Sequence, residues 1–415
     1  MRILGIETSC DETAAAVLEF SSPSTQAPSR RSLWSGNIDV KILSNVVHSQ
    51  IATHRKTGGV VPEVAAREHV EKIIPVVEKA LVSAGRKSEI RNPKSETNTK
   101  YKILNTKPPI DAIAVTYGPG LITSLMVGVE TARTLAWAWK IPLVAVNHME
   151  GHIAAAWLQR KGIGFRVQGL GVKTDPNPHT LTPIPYPALA LVVSGGHTEL
   201  VLMKKPLGYK IIGATRDDAV GEAFDKVAKI LGLEYPGGPV VSRLAESGDP
   251  TVFPFSAPMI KSNDYDFSFS GIKTAVLYKV KELEIRKLAG RVTTLQAKSY
   301  KLTPVVVADI CASFQKAVVD VLVAKTIRAA KEYKIKTVIL AGGVAANKQL
   351  REQLAAAVAR ELPITNYQLP IPSFCTDNAV MIAIAGYFHA LKKQFTPWKK
   401  LDVNPNLVLG VDRIH

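Results

Sequence analysis

ALALVVSGGHTELVLM, residues 188–203, places an apolar strand (188–193) before a turn of small and hydroxyl-bearing residues, and a second apolar run (200–203) after it. Short apolar runs bounded by turn residues read as buried strands. The N-terminus repeats the theme with different residues: a strand at 3–7, a polar turn at 8–13, and an apolar stretch at 14–18. One strand-turn-strand unit opening each half of the chain is the pattern expected of two related lobes.

Between and after these units, strands alternate with helices. Val70, Ile73, Ile74, Val77 and Leu81 are spaced along one face of a helix spanning about 61–84. A strand (112–115), the turn Gly118-Pro119-Gly120, a helix (121–140) and a strand (142–146) follow. The second half adds helices at 220–233, 269–283 and 304–333, a strand at 337–340, and a last helix from about Thr376. Strand-helix alternation is the mark of an α/β layer structure. The division expected is residues 1–147 plus 377–415 in one lobe and 148–376 in the other. Residues 21–35 read as a loop and 86–109 as a mobile insertion, polar, basic and without periodicity.

With 415 residues, the chain is long enough for two ordinary cores. The N-terminus passes from Arg2 directly into a strand, and no apolar run reaches membrane-spanning length, so a cytoplasmic protein is expected. Cys10, Cys311 and Cys375 form no CxxC pair, which argues against a disulfide framework and a structural zinc knuckle. Any metal must then be held by histidine and carboxylate. The net charge of +17 is concentrated: residues 86–107 carry seven basic and two acidic side chains, and 279–301 carry the same ratio. Such a field favours a polyanion, although charge runs are also ordinary solvated surface.

The sharpest local feature is His148-Met149-Glu150-Gly151-His152 at a strand-to-helix junction. Histidines at i and i+4 share one helix face, so their imidazoles can meet on one ion. The zincin signature HExxH places its general-base glutamate directly after the first histidine. Here that place is Met149, and Glu150 falls about 200° around the helix from His148, which disfavours a peptidase. Asp377, in Cys375-Thr376-Asp377-Asn378, either completes a two-histidine, one-carboxylate set suited to iron(II) or zinc, or caps the last helix. The glycine pairs Gly195-Gly196 and Gly342-Gly343 follow apolar strands, where bare backbone can approach phosphate, or they are plain turns. Neither is a P-loop or a dinucleotide fingerprint. Asp225, before the turn Pro236-Gly237-Gly238-Pro239, is either a ribose or metal-phosphate contact or an ordinary helix carboxylate.

Together these stretches resemble one family, the bacterial-type tRNA N6-adenosine threonylcarbamoyltransferases of the actin/Hsp70-like superfamily. The resemblance is carried by GIETSCDETA (5–14), GGVVPEVAAREH (58–69), YGPGLITSLMVG (117–128), NHMEGH (147–152) and LVVSGGHTEL (191–200). It continues through DDAVGEAFDKVAKILGLEYPGGP (217–239), DFSFSGIKT (266–274), AGGVAANKQLR (341–351) and FCTDNAVMIA (374–383). It implies an α/β, two-lobed actin/Hsp70-like ATPase fold with a substrate cleft between the lobes. It implies metal ligands His148, His152 and Asp377, with iron(II) ahead of zinc. An adenine nucleotide, as threonylcarbamoyl-adenylate or ATP, is implied against Val192, Val193, Ser194, Gly195 and Gly196, with Asp225, Gly238 and Asn347 as further contacts. Asp11 is implied as the acidic residue needed for activity. The departures from the family pattern are insertions at about 21–37, 86–109 and 163–186 and the basic stretch 286–301, none of which interrupts a matching motif.

The activity so implied is transfer of threonylcarbamoyl from threonylcarbamoyl-adenylate to N6 of the adenosine 3′-adjacent to the anticodon, in tRNAs reading codons that begin with A, with release of AMP. The implied partners are tRNA, a catalytically silent paralogue and a small P-loop ATPase. Two other readings stand beside it: a metallopeptidase, and a nucleotide-binding scaffold without catalysis.

Overall fold

A computed structural model describes residues 1–21, 36–86, 107–160, 179–289 and 302–410. The insertions at 21–37, 86–109 and 163–186, and the basic stretch 286–301, lie for the most part outside them. The chain divides into two compact units, Met1–Thr53 with Val60–Pro185 and Gln368–His415, and His54–Gly59 with Tyr186–Tyr367. This division differs from the boundaries expected at 147/148 and 376/377. The chain beyond His148 stays in the first unit because the helix starting there is buried against the elements of that unit.

In the first unit, β1 (Arg2–Glu7), β2 (Glu12–Ser21) and β3 (Ile38–Ser49) form an antiparallel meander. Helix α1 (Pro62–Arg86) carries the chain over to β4 (Ala112–Gly118), which lies parallel to β1. Helix α2 (Ile122–Trp139) leads to β5 (Leu143–Asn147), parallel to β4. Helix α3 (His148–Ala155) follows at once, and β6 (Leu158–Arg160) and β7 (His179–Leu181) complete a seven-stranded sheet of order β5-β4-β1-β2-β3-β7-β6.

In the second unit, β8 (Ala188–Val193), β9 (Thr198–Lys205) and β10 (Gly208–Ala214) make a second antiparallel meander. Helices α4 (Val220–Ile230), α5 (Gly237–Ala245), α6 (Ser270–Ala289) and α7 (Pro304–Glu332) intervene before β11 (Thr337–Ala341), which is parallel to β8. Helix α8 (Lys348–Glu361) and β12 (Asn366–Gln368) close a sheet of order β10-β9-β8-β11-β12. Both sheets place a three-strand meander first and then add parallel strands on the free side of its first strand, so the repeated theme read from residues 1–18 and 188–203 is repeated topology.

The last helix, α9 (Ala379–Leu391), returns to the first unit and is buried on every side from Ala379 to Ala390. Its residues AVMIAIAGYFHA are apolar all round, as a helix enclosed by protein requires. It lies so close to the sheet that a Cβ on Gly5 would sit 2.3 Å from the Ala379 carbonyl oxygen. On the opposite face of the sheet, Leu4, Ile6 and Val17 pack with Val77 of α1 and with Val129 and Trp139 of α2. No helix among the described residues is long and apolar enough to cross a membrane.

Candidate metal centre and glycine turns

Helix α3 starts where β5 ends, and the Asn147 side chain caps it by accepting from the N–H groups of Met149 (2.8 Å) and Glu150 (3.3 Å). The cap fixes the first turn and aims His148 and His152 from one face. Asp377 stands just before α9, and Asn378, which caps α9, accepts from Met381 N–H at 3.1 Å. Asn378 is therefore the cap, and the Asp377 carboxylate faces the histidines. Its Oδ1 lies 3.4 Å from His148 Nε2 and 3.1 Å from His152 Nε2. One ligand atom from each of the three residues lies within 4.8 Å of the others.

Two observations fit this set to a divalent metal. The 3.1 Å contact from His152 Nε2 lacks the alignment of a hydrogen bond, and both ring nitrogens of that buried histidine lack hydrogen-bond partners. Buried polar atoms are seldom left so, and a metal lone-pair acceptor would satisfy one of them. His148, in turn, has the backing of a metal-bound imidazole. Its Nδ1 is 3.1 Å from Glu7 Oε2 and 3.1 Å from Ser9 Oγ, so Nδ1–H donates toward Glu7 and Nε2 is the nitrogen that faces Asp377. Glu7 is held in place by Thr116 Oγ1, donating to Oε2 at 2.6 Å, and by Ser9 N–H, donating to Oε1 at 2.5 Å.

The electrostatics follow the same geometry. Burial works against the Asp377 carboxylate, but the two imidazoles outweigh it and hold the carboxyl well below its usual range. Burial likewise disfavours the His148 cation, while Asp377 and Glu7 together push that imidazole well above its ordinary value. Glu7 is lowered because His148 more than offsets the cost of burying it.

Asp11 lies in the turn between β1 and β2, where its carbonyl accepts from Gln50 N–H at 3.0 Å. The turn is close enough to Asp377 that Glu12, penalised first by burial and then by the charges of Asp11 and Asp377, is pushed up to about 10. His69 of α1 ties down the same turn. Its Nε2–H donates to the Cys10 carbonyl (3.0 Å), and its Nδ1 therefore accepts from Thr13 Oγ1 (2.8 Å). Burial lowers its pKa, consistent with that neutral tautomer. Sequence reasoning assigned no role to Glu7, Ser9, Thr116 or His69. The signal available for Glu7 was a carboxylate in an otherwise apolar strand.

In the second unit, Val192 and Val193 are fully buried strand residues, backbone included, at the end of β8. The turn after them is closed by Ser194 N–H donating to the His197 carbonyl (2.8 Å) and His197 N–H donating to Ser194 Oγ (3.1 Å). A Cβ on Gly195, Gly196 or Gly238 would meet nothing within 4 Å, and none of the three has a left-handed φ. Neither packing nor backbone conformation calls for glycine there, and its effect is to leave open space beside bare amides. Asp225 Oδ1 accepts from Gly237 N–H (2.7 Å), capping α5. Asn347 caps α8, accepting from Leu350 N–H (2.9 Å), and donates through Nδ2 to Ser242 Oγ (2.8 Å) and Gln315 Oε1 (2.7 Å). The run Pro236-Gly237-Gly238-Pro239, read as a turn, is the entry of helix α5.

The peptidase reading fails on geometry. Met149 is buried at the position a zincin gives its general base, and Glu150 points elsewhere, its Oε1 2.7 Å from His389 Nε2.

Comparison with known proteins gives one consistent answer. The family model described as TsaD, tRNA N6-adenosine threonylcarbamoyltransferase, matches residues 41–91, 101–169 and 176–384. A protein of that name from Desulfitobacterium hafniense is 43% identical over 99% of this chain and 98% of its own. Relatives of the same name from Bacillus subtilis and Thermomicrobium roseum are 44% identical (93% of this chain, 90% of theirs) and 45% identical (94% and 92%).

Proposed function

The chain belongs to the tRNA N6-adenosine threonylcarbamoyltransferase family, and from that premise we propose that it moves threonylcarbamoyl from threonylcarbamoyl-adenylate to N6 of the adenosine 3′-adjacent to the anticodon, in tRNAs reading codons that begin with A. The observation that carries this reading is the set of buried His148 and His152 with half-buried Asp377, with a carboxylate behind His148 and an acidic turn at Asp11 nearby. In the transfer, the adenosine amine attacks the carbamoyl carbon, the bond from that carbon to the phosphate oxygen breaks, and AMP leaves with the electron pair. Asp11 orients the amine and takes its proton. The amides of Gly195 and Gly196 neutralise phosphate charge, aided by the space at Gly238, with Ser194 closing the turn that presents them and Val192 and Val193 as the strand that leads into it. Asp225 and Asn347, by capping α5 and α8, shape the nucleotide's surroundings.

His148, His152 and Asp377 would hold one divalent metal, with iron(II) preferred and zinc also suited to the donor set. When bound, such an ion supplies Lewis acidity toward phosphate or carbonyl oxygens. The protein partners proposed are an inactive paralogue and a small P-loop ATPase, in the cytoplasm, with tRNA as acceptor.

The deciding experiment incubates the protein with unmodified tRNA, threonylcarbamoyl-adenylate and metal, with and without those partners, and analyses digested tRNA by mass spectrometry. Threonylcarbamoyl-adenosine is expected, and is expected to vanish for Asp11→Ala. Its absence under every mixture would favour the scaffold reading.

A further inference from the structure

Glu150 lies between the two histidine ligands in sequence and faces away from them. Its Oε1 is 2.7 Å from Nε2 of His389, near the far end of α9, and His389 Nδ1 is 2.7 Å from Gln394 Oε1. Glu150 and His389 are both buried, at 1% and 3% exposure. A carboxylate only accepts, so Nε2–H donates to it, and the Gln394 amide can face Nδ1 with either its oxygen or its nitrogen. The Gln394 N–H also donates to the His389 carbonyl at 3.0 Å, fastening the chain after α9 back onto the helix end.

We propose that Glu150 and His389 are positioning residues for the metal centre, fixing the rotation of α3 about its own axis so that His148 and His152 stay aimed at Asp377. The proposal rests on the metal reading of those three residues. Helix α3 is only eight residues long, too short to hold its orientation by propensity. It rests on α9 through Gly151, where a Cβ would meet Ile382 Cδ1 at 2.8 Å, a contact that allows close approach but little specific hold on rotation. Helix α9 supplies two fixed points: Asp377 just before its first turn, and His389 about 15 Å further along its axis. One meets the histidine face of α3 and the other meets Glu150, about 200° around. A rotation of about 10° would sweep an imidazole nitrogen by roughly 1 Å, against a tolerance of about 0.2 Å in metal-ligand distance.

The test is a Co(II) titration of the full chain, followed by visible absorption, alongside the thermal midpoint of the metal-free protein. Glu150→Ala and His389→Ala should each weaken Co(II) binding about 10- to 100-fold, and the double variant no more than the worse single. Glu150→Gln keeps an oxygen to accept from His389 and should stay within about threefold of the wild type. A lowered thermal midpoint with unchanged Co(II) affinity in the alanine variants would reduce the pair to ordinary packing and overturn the proposal. If those variants do not fold, Glu150→Leu with His389→Leu removes both polar partners together. That protein should fold and bind Co(II) more weakly, and wild-type affinity in it would equally overturn the proposal. A wild type that binds no Co(II) would instead overturn the metal reading on which this one rests.

Discussion

Glu7 is the residue on which the candidate metal centre leans, because it meets three donors at once: Ser9 N–H, Thr116 Oγ1 and His148 Nδ1. In Glu7→Gln one of those donors must face an NH2 group, which leaves a buried polar group unpaired at a cost of about 1–3 kcal/mol. Metal affinity is expected to fall about 10- to 100-fold as His148 loses its backing carboxylate, measurable by Co(II) titration. Glu199 makes a separate prediction about pH. Its Oε2 is buried without a partner, and burial pushes the carboxyl up to about 7 from an ordinary 4.5. Below pH 4.5 the group is protonated in both folded and unfolded chains and contributes nothing. Between 4.5 and 7 the unfolded chain releases the proton first, so stability falls with rising pH, by about 3 kcal/mol once past 7. Glu199→Gln should therefore melt with the wild type at pH 4 and above it at pH 8; a difference that does not grow with pH would refute the assignment. The pairing of His148 and His152 was legible in the sequence because i, i+4 spacing puts two histidines on one face, whereas Asp377 joined them only through the family resemblance. Glu7 and His389 were not, because their partners lie 141 and 239 residues away and only the fold brings them together.

Among the elements, α9 is closely constrained, since Asp377 stands just before it and it touches the sheet through backbone. Gly5→Ala would drive a methyl to 2.3 Å from the Ala379 carbonyl oxygen, and backbone at the start of a buried helix has no room to yield. Destabilisation of about 1–3 kcal/mol is expected from overpacking, read as a lowered thermal midpoint. Because the displaced turn adjoins Asp377, Co(II) affinity should fall as well, whereas a loss of stability alone would mean that α9 shifts as a rigid rod. The elements that were readable in sequence are those with continuous apolar runs, such as β8 and β11. Strand β3 went unread because its burial is broken by exposed positions, and β10 because six of its seven residues are incompletely buried. Helix α5 was hidden for another reason. Its first turn is Gly-Gly-Pro, which reads as a turn, yet first-turn N–H groups have no partner within the helix, so proline costs little there.

For the molecule as a whole, the excess of 52 Lys and Arg over 35 Asp and Glu decides how it meets a polyanion. Among the described residues several acids are paired with bases: Asp218 with Lys226 and Lys273, Glu361 with Lys331 and Arg360, Asp264 with Arg216. The uncompensated positive charge is carried in bulk by the basic runs 86–107 and 279–301. If these runs supply the affinity for tRNA, binding is dominated by counterion release, at roughly 0.7–0.9 ions for each phosphate met. Five or six such contacts give a slope near −4 in log affinity against log salt, a loss of about 250-fold between 50 and 200 mM. Replacing the seven basic residues of 86–107 with glutamine should flatten that slope while leaving Co(II) binding unchanged, because none of them belongs to the metal centre. A shallow slope in the wild type would mean that tRNA is recognised by shape and base contacts, and that the charge serves another purpose.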